Sequence, residues 1–164
     1  MDRAEFAMQQ WQKERPDINP FPMKVWGRLA ETTQRISQQY FQPFFSHYGL
    51  QSGEFDVLAT LRRSGKPFAL TPTALYEALL ISSGGITNRL DRLEKAALIE
   101  RRKHPTDRRG TLVILTEQGL QLIDNMLPLH IANEEHVLQA LDANEQQQLD
   151  KLLGKLLNNL PVVK

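Results

Sequence analysis

The chain has 164 residues, of which 41% are hydrophobic and 24% charged, and this composition is typical of one soluble globular domain. It contains no cysteine, which excludes a disulfide scaffold, a thiolate metal site and a cysteine nucleophile. The net charge of +1 is unevenly distributed, because residues 82–110 hold eight Lys and Arg against four Asp and Glu, whereas residues 116–164 hold three against seven. This asymmetry predicts that one face of the protein meets a polyanion.

The sequence carries no sign of a membrane segment. No apolar run approaches the ~20 residues that cross a bilayer. The first five residues contain two acids and are not followed by the apolar core of a signal peptide. We therefore expect a cytoplasmic protein with no membrane partner.

Three helices are predicted in the first part of the chain. Apolar residues at helical spacing indicate one helix over about residues 4–13. A longer helix is expected over residues 23–47, with a kink or an end at Pro43. Ser52 is the predicted N-cap of the third helix, which runs over residues 53–63 and stops at a Ser-Gly-Lys-Pro sequence.

Two short helices separated by a tight turn are predicted next. Thr71 and Pro72 supply an N-cap and a first-turn proline for a helix that runs to about Leu80. After a turn at residues 81–82, a second helix is expected over residues 83–97. Its predicted buried face consists of Ile86, Leu90, Leu93 and Ala97. This order indicates a helix-turn-helix.

A β-hairpin and two further helices complete the predicted elements. The hairpin pairs residues 98–103 with the apolar run 111–115 around a charged tip. Thr116 is the expected cap of a long helix that reaches about Leu141 and bends near Pro128. Asp142 and Glu145 have the spacing of a capping box at the start of the last helix. That helix carries an apolar stripe formed by Leu149, Leu152, Leu153, Leu156, Leu157 and Leu160.

These elements predict a mainly α fold, a winged helix-turn-helix with long N- and C-terminal dimerisation helices and one β-hairpin wing. We expect a single domain over residues 1–164. Its parts are an N-terminal extension helix (1–20), dimerisation helices (21–50 and 117–164) and a DNA-binding lobe (51–116). The long helices are too rich in leucine to serve one small lobe. A homodimer would also place two second helices about one turn of DNA apart.

Polar side chains on the second helix and at the hairpin tip predict contact with double-stranded DNA. Hydroxyl and amide groups bind base edges and phosphates, and tip arginines enter a minor groove or clamp phosphates. An aspartate beside them can fix one guanidinium by a two-pronged pair. Each feature alone is more typical of a solvated surface than of a DNA-binding one, and it is their order along the chain that favours DNA. The predicted DNA-binding residues are Ser82, Ser83, Gly84, Thr87, Asn88, Asp107, Arg108 and Arg109.

Enzymatic and metal sites are not expected. The sequence contains no nucleophile elbow, acid–base pair or complete phosphate-binding glycine loop. His130 and Glu134 stand four residues apart, but this spacing is common in surface pairs. We therefore predict neither a metal nor a cofactor.

Two motifs follow the predicted helix-turn-helix, Asp107-Arg108-Arg109-Gly110 and then Thr116-Glu117-Gln118-Gly119. With these motifs, and along nearly its whole length, the chain resembles the MarR family of winged-helix regulators, and in particular the urate-responsive, PecS-like subgroup. The N-terminal extension is a feature of the subgroup and not of the wider family. The subgroup resemblance lies in residues 10–11, 14–17, 27–29, 53–63, 70–73, 82–84 and 87–94.

The resemblance implies a urate site between the dimer helices and the DNA-binding lobe. The positions that match its tryptophan, aspartate and two arginines are Trp11, Asp56, Arg89 and Arg101. Urate is a planar anion, which suits a guanidinium fork, an indole and a carboxylate that accepts from ring N–H groups. The alternative is a salt bridge from Asp56 to Arg89 that joins two helices, with Trp11 packing its own helix and Arg101 contacting a phosphate.

Three functions remain open at this point. The first is a repressor that is released from DNA by urate or a related purine. The second is a regulator of the same class that responds to a phenolic or aromatic carboxylate, or whose pocket is unused. The third is a helical interaction protein without a specific DNA target, and the basic hairpin tip argues against it. In the first two, a ligand beside Arg89 would move the second helix, because Arg89 belongs to that helix.

Overall fold

The computed structural model describes residues 1–79, 85–106 and 110–161. They divide into two compact units, Met1–Ile123 and Asp124–Lys164, and the boundary falls within one long helix. The elements in chain order are α1 (Arg3–Glu14), α2 (Phe21–Ile36), a π-helical turn (Ser37–Phe41), α3 (Gln42–His47), α4 (Ser52–Arg63), β1 (Ala69–Leu70), α5 (Pro72–Ala78), α6 (Ile86–Lys95), β2 (Ile99–Lys103), β3 (Thr111–Leu115), α7 (Glu117–Leu138) and α8 (Ala143–Asn158).

Helix α1 packs along α2, and charge pairs reinforce the contact. Ala4 is buried against Gly27, where an added Cβ would come within 3.3 Å of the Ala4 Cβ. Arg28 donates to Asp2 at 2.8 Å and to Glu5 at 3.0 Å. Asp2 also caps α1, because its carboxylate accepts from the backbone N–H of Glu5 at 2.8 Å. The predicted N-terminal helix is confirmed.

The second predicted helix is continuous from Phe21 to His47, and Pro43 does not end it. The irregularity lies just before the proline, in the π-helical turn, where the N–H of Gln42 donates to the carbonyl of Ser37. Proline cannot donate to the carbonyl four residues earlier, and its ring crowds that carbonyl. The wider turn that precedes it is one of the known ways in which a helix absorbs such a disruption.

The core of the first unit lies under α4, α5, α6 and the sheet. Its fully buried side chains include Val57, Leu58, Leu61, Leu75, Leu93, Ile99 and Val113. Helix α4 begins one residue earlier than predicted, with Gln51 at the N-cap position in place of Ser52. The backbone N–H of Gln51 donates to the carboxylate of Glu54 at 2.7 Å. In return, the Gln51 side chain accepts from the backbone N–H of Glu54. A cap at Ser52 would put Phe55 three residues after it, and Phe55 has no carboxylate for this contact.

The first helix of the predicted helix-turn-helix is confirmed, the second is corrected, and the predicted turn at residues 81–82 lies outside the described residues. Thr71 caps α5 as predicted, since its hydroxyl accepts from the N–H of Ala74 at 3.2 Å. Helix α6 is shorter than residues 83–97. Gly85 precedes it with φ +77°, and Ala97 follows it with φ +57°. Neither backbone conformation fits a right-handed helix. Ala97 is therefore exposed and does not belong to the buried face.

The predicted hairpin is confirmed, and the sheet has one strand more than expected. Strands β2 and β3 pair antiparallel from Ile99 opposite Leu115 to Lys103 opposite Thr111. Strand β1 adds to the other side of β3, which gives the order β1-β3-β2. The hairpin tip at 107–109 lies outside the described residues.

The start of α7 is joined to the turn that ends α6. The Thr116 hydroxyl accepts from the N–H of Gly119 at 3.0 Å and donates to the carbonyl of Ala97 at 2.7 Å. A Cβ on Gly119 would lie 1.9 Å from the carbonyl oxygen of Leu98. Only glycine permits this approach of α7 to the turn. The predicted cap at Thr116 is confirmed, and the helix ends at Leu138, three residues earlier than expected.

The second unit contains the rest of α7, with Pro128 inside the helix, and α8. The capping box of Asp142 and Glu145 is confirmed at the start of α8. His130 and Glu134 form an i, i+4 pair at 3.2 Å. The leucine stripe of α8 is substantially exposed, with Leu152 at 64% and Leu157 at 71%. No helix among the described residues has the length and hydropathy needed to cross a membrane. The functional assignment of residues 1–20, 21–50, 51–116 and 117–164 stays a prediction.

Candidate functional site

The outer face of α6 carries the predicted DNA-contacting residues that the structure describes. Thr87 and Asn88 are both exposed, as is Asp91 one turn later. A hydroxyl and an amide on the solvent side of a short helix can donate to and accept from base edges and phosphates. The other predicted DNA-binding residues, Ser82, Ser83, Gly84, Asp107, Arg108 and Arg109, lie outside the described residues.

Helix α6 contacts the first turn of α4 through two arginines, the exposed Arg92 and the partly buried Arg89. Arg92 places its Nε 2.7 Å from the Glu54 carboxylate and donates from Nη2 to the side-chain oxygen of Gln51 at 2.6 Å. Glu54 is buried, with 5% of its surface exposed. The sequence did not reveal the role of Arg92. Its only signal was Glu54, an acid three residues after the N-cap position of α4, and nothing in the sequence identifies the partner of that acid.

Arg89, the second of these arginines, lies against Gly53. A Cβ added to Gly53 would be 2.3 Å from Arg89 Cζ, so the guanidinium occupies the space that any other residue would fill at this position. Arg89 itself is partly buried. The small size of Gly53 is therefore what lets the guanidinium settle on the helix.

Asp56 lies one turn further along α4, within the electrostatic influence of Arg89. Burial raises the pKa of the Asp56 carboxyl above its ordinary value, and the positive charge of Arg89 only partly opposes this shift. Its Oδ2 atom is buried and has no hydrogen-bond partner among the residues that the structure describes. A buried carboxylate oxygen in this state is ready to accept from an N–H or O–H donor.

A cavity of about 360 Å³ opens beside this arrangement. Its wall is mainly polar, with Arg89 as the cation. It is lined by Gln42, Ser46, Leu50, Gln51, Ser52, Gly53 and Arg89. A volume of this size holds a small molecule, and the guanidinium with nearby amides and hydroxyls suits a polar, anionic one.

Trp11 is placed elsewhere in the chain. It lines a second cavity of about 250 Å³ between α1 and α2, together with apolar side chains that include Met8 and Met23. Its own side chain is 42% exposed. The described chain therefore does not bring Trp11 into the wall of the cavity that contains Arg89.

Arg101 contacts α6 and lies outside the lining of that cavity. From β2, its guanidinium reaches Asp91 at 2.6 Å and Glu94 at 3.4 Å, while its backbone N–H donates to Glu94 at 3.0 Å. These bonds tie the hairpin to α6. Of the four predicted ligand-binding residues, the structure thus brings Asp56 and Arg89 near each other and places Trp11 and Arg101 in other surroundings.

Comparison with known proteins gives a consistent result. The sequence model of the MarR family matches residues 48–110. The HTH-type transcriptional regulator PecS of Dickeya dadantii is 39% identical over 153 residues, which cover 93% of this chain and 92% of PecS. A mutant MarR from E. coli in complex with operator DNA has 26% identity and a TM-score of 0.71, over 90% of this chain and 97% of that one.

A further solved structure concerns ligand control. BpsR of Bordetella bronchiseptica, whose DNA binding is regulated by 6-hydroxynicotinic acid, is 27% identical and superposes with a TM-score of 0.70. The match covers 81% of this chain and 98% of BpsR. This chain therefore shares its fold with MarR, which was solved on operator DNA, and with the DNA-binding protein BpsR.

Proposed function

Because this chain belongs to the MarR family of winged-helix transcriptional regulators, we propose that it is a homodimeric repressor that leaves its operator when it binds urate or a related purine. In this proposal α6 is the recognition helix, and the operator is a pseudo-palindrome with two half-sites. Each protomer places one α6 in the major groove, and the two are about one DNA turn apart.

The DNA-binding part rests on α6 and on the similarity to MarR bound to operator DNA. Thr87 and Asn88 face solvent, where a groove would meet them. The wing arginines stay a prediction. Replacement of Arg109 with alanine is expected to weaken operator binding, and unchanged affinity in a gel shift would contradict the wing assignment.

The ligand part rests on one observation, the buried Asp56 oxygen without a described partner near Arg89, which lines a polar cavity whose described wall does not include Asp56. An unsatisfied buried oxygen costs free energy, and a ligand N–H that reaches it removes that cost. Urate presents ring N–H groups together with an anionic edge, so one molecule complements both the carboxylate and the guanidinium.

A second candidate ligand is a phenolic or aromatic carboxylate. BpsR responds to 6-hydroxynicotinic acid, which is such a molecule. A carboxylate pairs with Arg89 as well as urate does, and a ring hydroxyl can donate to Asp56. The two classes differ in how many N–H donors they offer to Asp56.

Release follows if the ligand prefers a conformation that does not fit DNA. Arg89 belongs to α6, so a ligand that draws its guanidinium away from Gly53 acts directly on the recognition helix. A shift of a few ångströms in one protomer spoils simultaneous docking in successive grooves. By linkage, DNA must weaken ligand binding by the same factor as the ligand weakens DNA binding.

The experiment is a gel shift with the purified protein and the DNA upstream of its own gene, in which urate, xanthine, salicylate and 6-hydroxynicotinate are titrated separately. Selective release by urate that is blunted in Asp56→Asn and Arg89→Ala supports the proposal. The control is Arg35→Ala, an exposed arginine on α2 that pairs with Glu31 at 2.5 Å. It should respond to urate as the unmodified protein does.

Other outcomes separate the alternatives. Release by salicylate or 6-hydroxynicotinate, with urate inactive, would replace the purine with an aromatic carboxylate. Binding without sequence preference at all salt concentrations would contradict the repressor itself and favour an interaction protein.

A further inference from the structure

Helix α6 carries an arginine, one turn after Asn88, whose guanidinium contacts the first turn of α4. Arg92 bridges two acceptors on the first turn of α4, the Glu54 carboxylate at 2.7 Å and the Gln51 side-chain oxygen at 2.6 Å. The Glu54 side chain is only 6% exposed, whereas that of Arg92 is 47% exposed. The head group of a half-exposed arginine is thus anchored to a buried acid.

The chemistry of this contact fixes the orientation of α6 as well as its distance from α4. A guanidinium is planar and its donors have fixed directions, so one arginine that serves two acceptors restricts both rotation and sliding of the helix that carries it. The Glu54 carboxylate is also held in place, because its other oxygen accepts from the N–H of Gln51 at 2.7 Å. Apolar contacts at Leu90 and Leu93 bury the helix but are not directional.

We propose that Arg92 is a positioning residue for DNA recognition, which acts through Glu54 and Gln51 and not through a contact with DNA. This proposal rests on the proposed function, since it assumes that α6 is the recognition helix. The bidentate contact holds α6 at the angle at which Thr87 and Asn88 enter the groove. Without it α6 keeps its apolar packing but loses its fixed orientation, so each base contact is made less often.

The test is a double-mutant cycle read out by operator affinity. Arg92→Met removes the fork and keeps the length of the side chain, Arg92→Lys keeps the charge, and Glu54→Gln removes the buried anion. Each variant and the Arg92→Met/Glu54→Gln pair are titrated with the DNA upstream of the gene at several salt concentrations. Urea unfolding of every variant, measured in parallel, establishes that the protein titrated is folded.

The expected result is a strong coupling between the two positions. Arg92→Met and Glu54→Gln should each weaken operator binding by roughly tenfold, and the pair by no more than either single change, as for groups that act as a unit. Arg92→Lys should lose nearly as much as Arg92→Met, because an ammonium cannot reproduce the fork. The slope of log Kd against log salt should remain that of the unmodified protein, because no phosphate contact is lost.

A second cycle avoids the buried acid, whose replacement also disturbs the start of α4. Gln51→Met with Arg92→Met removes the exposed half of the same contact and should be non-additive in operator affinity as well. Lys95→Met is the matched control, since it deletes one positive charge from the last turn of α6. Its effect should add independently to that of Glu54→Gln.

The opposite results would overturn the proposal. If Arg92→Met lowers the salt slope by about one, Arg92→Lys binds normally and both cycles are additive, then Arg92 contacts a phosphate and positions nothing. If the unmodified protein binds no DNA selectively, the proposed function is wrong, and the role of Arg92 in DNA recognition is wrong with it.

Discussion

Asp56 is a charged residue in a place where the fold gains nothing from its charge. It lies on a helix whose neighbouring side chains Phe55 and Val57 are buried. Its pKa is raised by burial in spite of the nearby Arg89. Local stability rules would place a neutral side chain here, and positions that break such rules are where function is expected.

The raised pKa determines how Asp56 affects stability at different pH values. Because the folded state binds this proton more tightly than the unfolded state, Asp56 lowers the free energy of unfolding as pH rises from its ordinary pKa of 3.8 through the raised folded value. The Asp56→Asn protein should therefore unfold at a higher temperature near neutral pH. The gain should be a few degrees at most, because solvent screens a half-buried carboxylate.

Thermal unfolding between pH 3.5 and pH 7.5 checks this expectation. The advantage of Asp56→Asn should shrink toward the acid end, where the native carboxyl is already protonated. Asp2 provides a control of opposite sign, since its pKa is lowered, first by the hydrogen bond from the N–H of Glu5. Asp2→Asn should give no gain at neutral pH. A lower unfolding temperature for Asp56→Asn at pH 7 would show that its charge stabilises the fold.

Gly53 gives a second prediction at the scale of single residues. Alanine normally stabilises a helix relative to glycine by up to about 1 kcal/mol. At Gly53 the new Cβ would meet the Arg89 guanidinium at 2.3 Å, so the arginine must move. We expect Gly53→Ala to gain little or to destabilise the protein, whereas the same change in an Arg89→Ala background should give the full helical gain. Urea unfolding of the four proteins measures the difference, and equal effects in both backgrounds would refute the close contact.

At the scale of elements, locally encoded features were the ones that the sequence predicted well. The start of α5 follows from Thr71 and Pro72, whose cap and φ preference act within one turn. The predicted start of the second helix was wrong, because the start of α6 depends on the left-handed backbone of Gly85, which a helical pattern of apolar residues does not reveal. Strand β1 is only two residues long and exists because β3 pairs with it across 43 positions, from Leu70 to Val113. No local propensity encodes such a pairing.

The same distinction applies to the candidate site. Asp56 and Arg89 were found because a resemblance pointed to them. Arg92 was missed, since its role depends on Gln51 and Glu54, which are about forty residues away in the chain. A charged residue on a helix gives no sequence signal that distinguishes a solvated side chain from one seated on a buried acid.

The junction between α6 and α7 gives a prediction at this scale. Thr116 caps α7 and also donates to the carbonyl of Ala97, so its hydroxyl satisfies groups at the ends of two elements. Thr116→Val keeps the shape and removes both bonds, and it should lower the free energy of unfolding by about 1–2 kcal/mol. Thr116→Ser keeps the hydroxyl and should stay close to the unmodified protein. Equal stability of the two variants in urea would mean that the junction relies on packing alone.

At the scale of the whole molecule, the least explained surface is the leucine stripe of α8. The described chain leaves Leu152, Leu156 and Leu157 at least half exposed. Isolated exposed leucines are common, but a continuous stripe along one helix is typical of a protein interface. A second copy of the chain is the partner that the proposed operator geometry requires.

Replacement of Leu157 with lysine tests this directly. Because Leu157 is 71% exposed in one chain, the change removes little from that chain's own core and matters only where a second surface covers it. We expect monomers by light scattering at micromolar concentration. Affinity for the full operator should fall by about a hundredfold or more toward that of a single half-site, because two recognition helices no longer bind as one unit. Gln147→Lys adds the same charge at an exposed position of α8 whose i+3 and i+4 neighbours are Asp150 and Lys151 and not leucines, and it should remain dimeric with full affinity. A dimeric Leu157→Lys protein that binds the operator normally would move the dimer interface away from this stripe and assign the leucines to another partner.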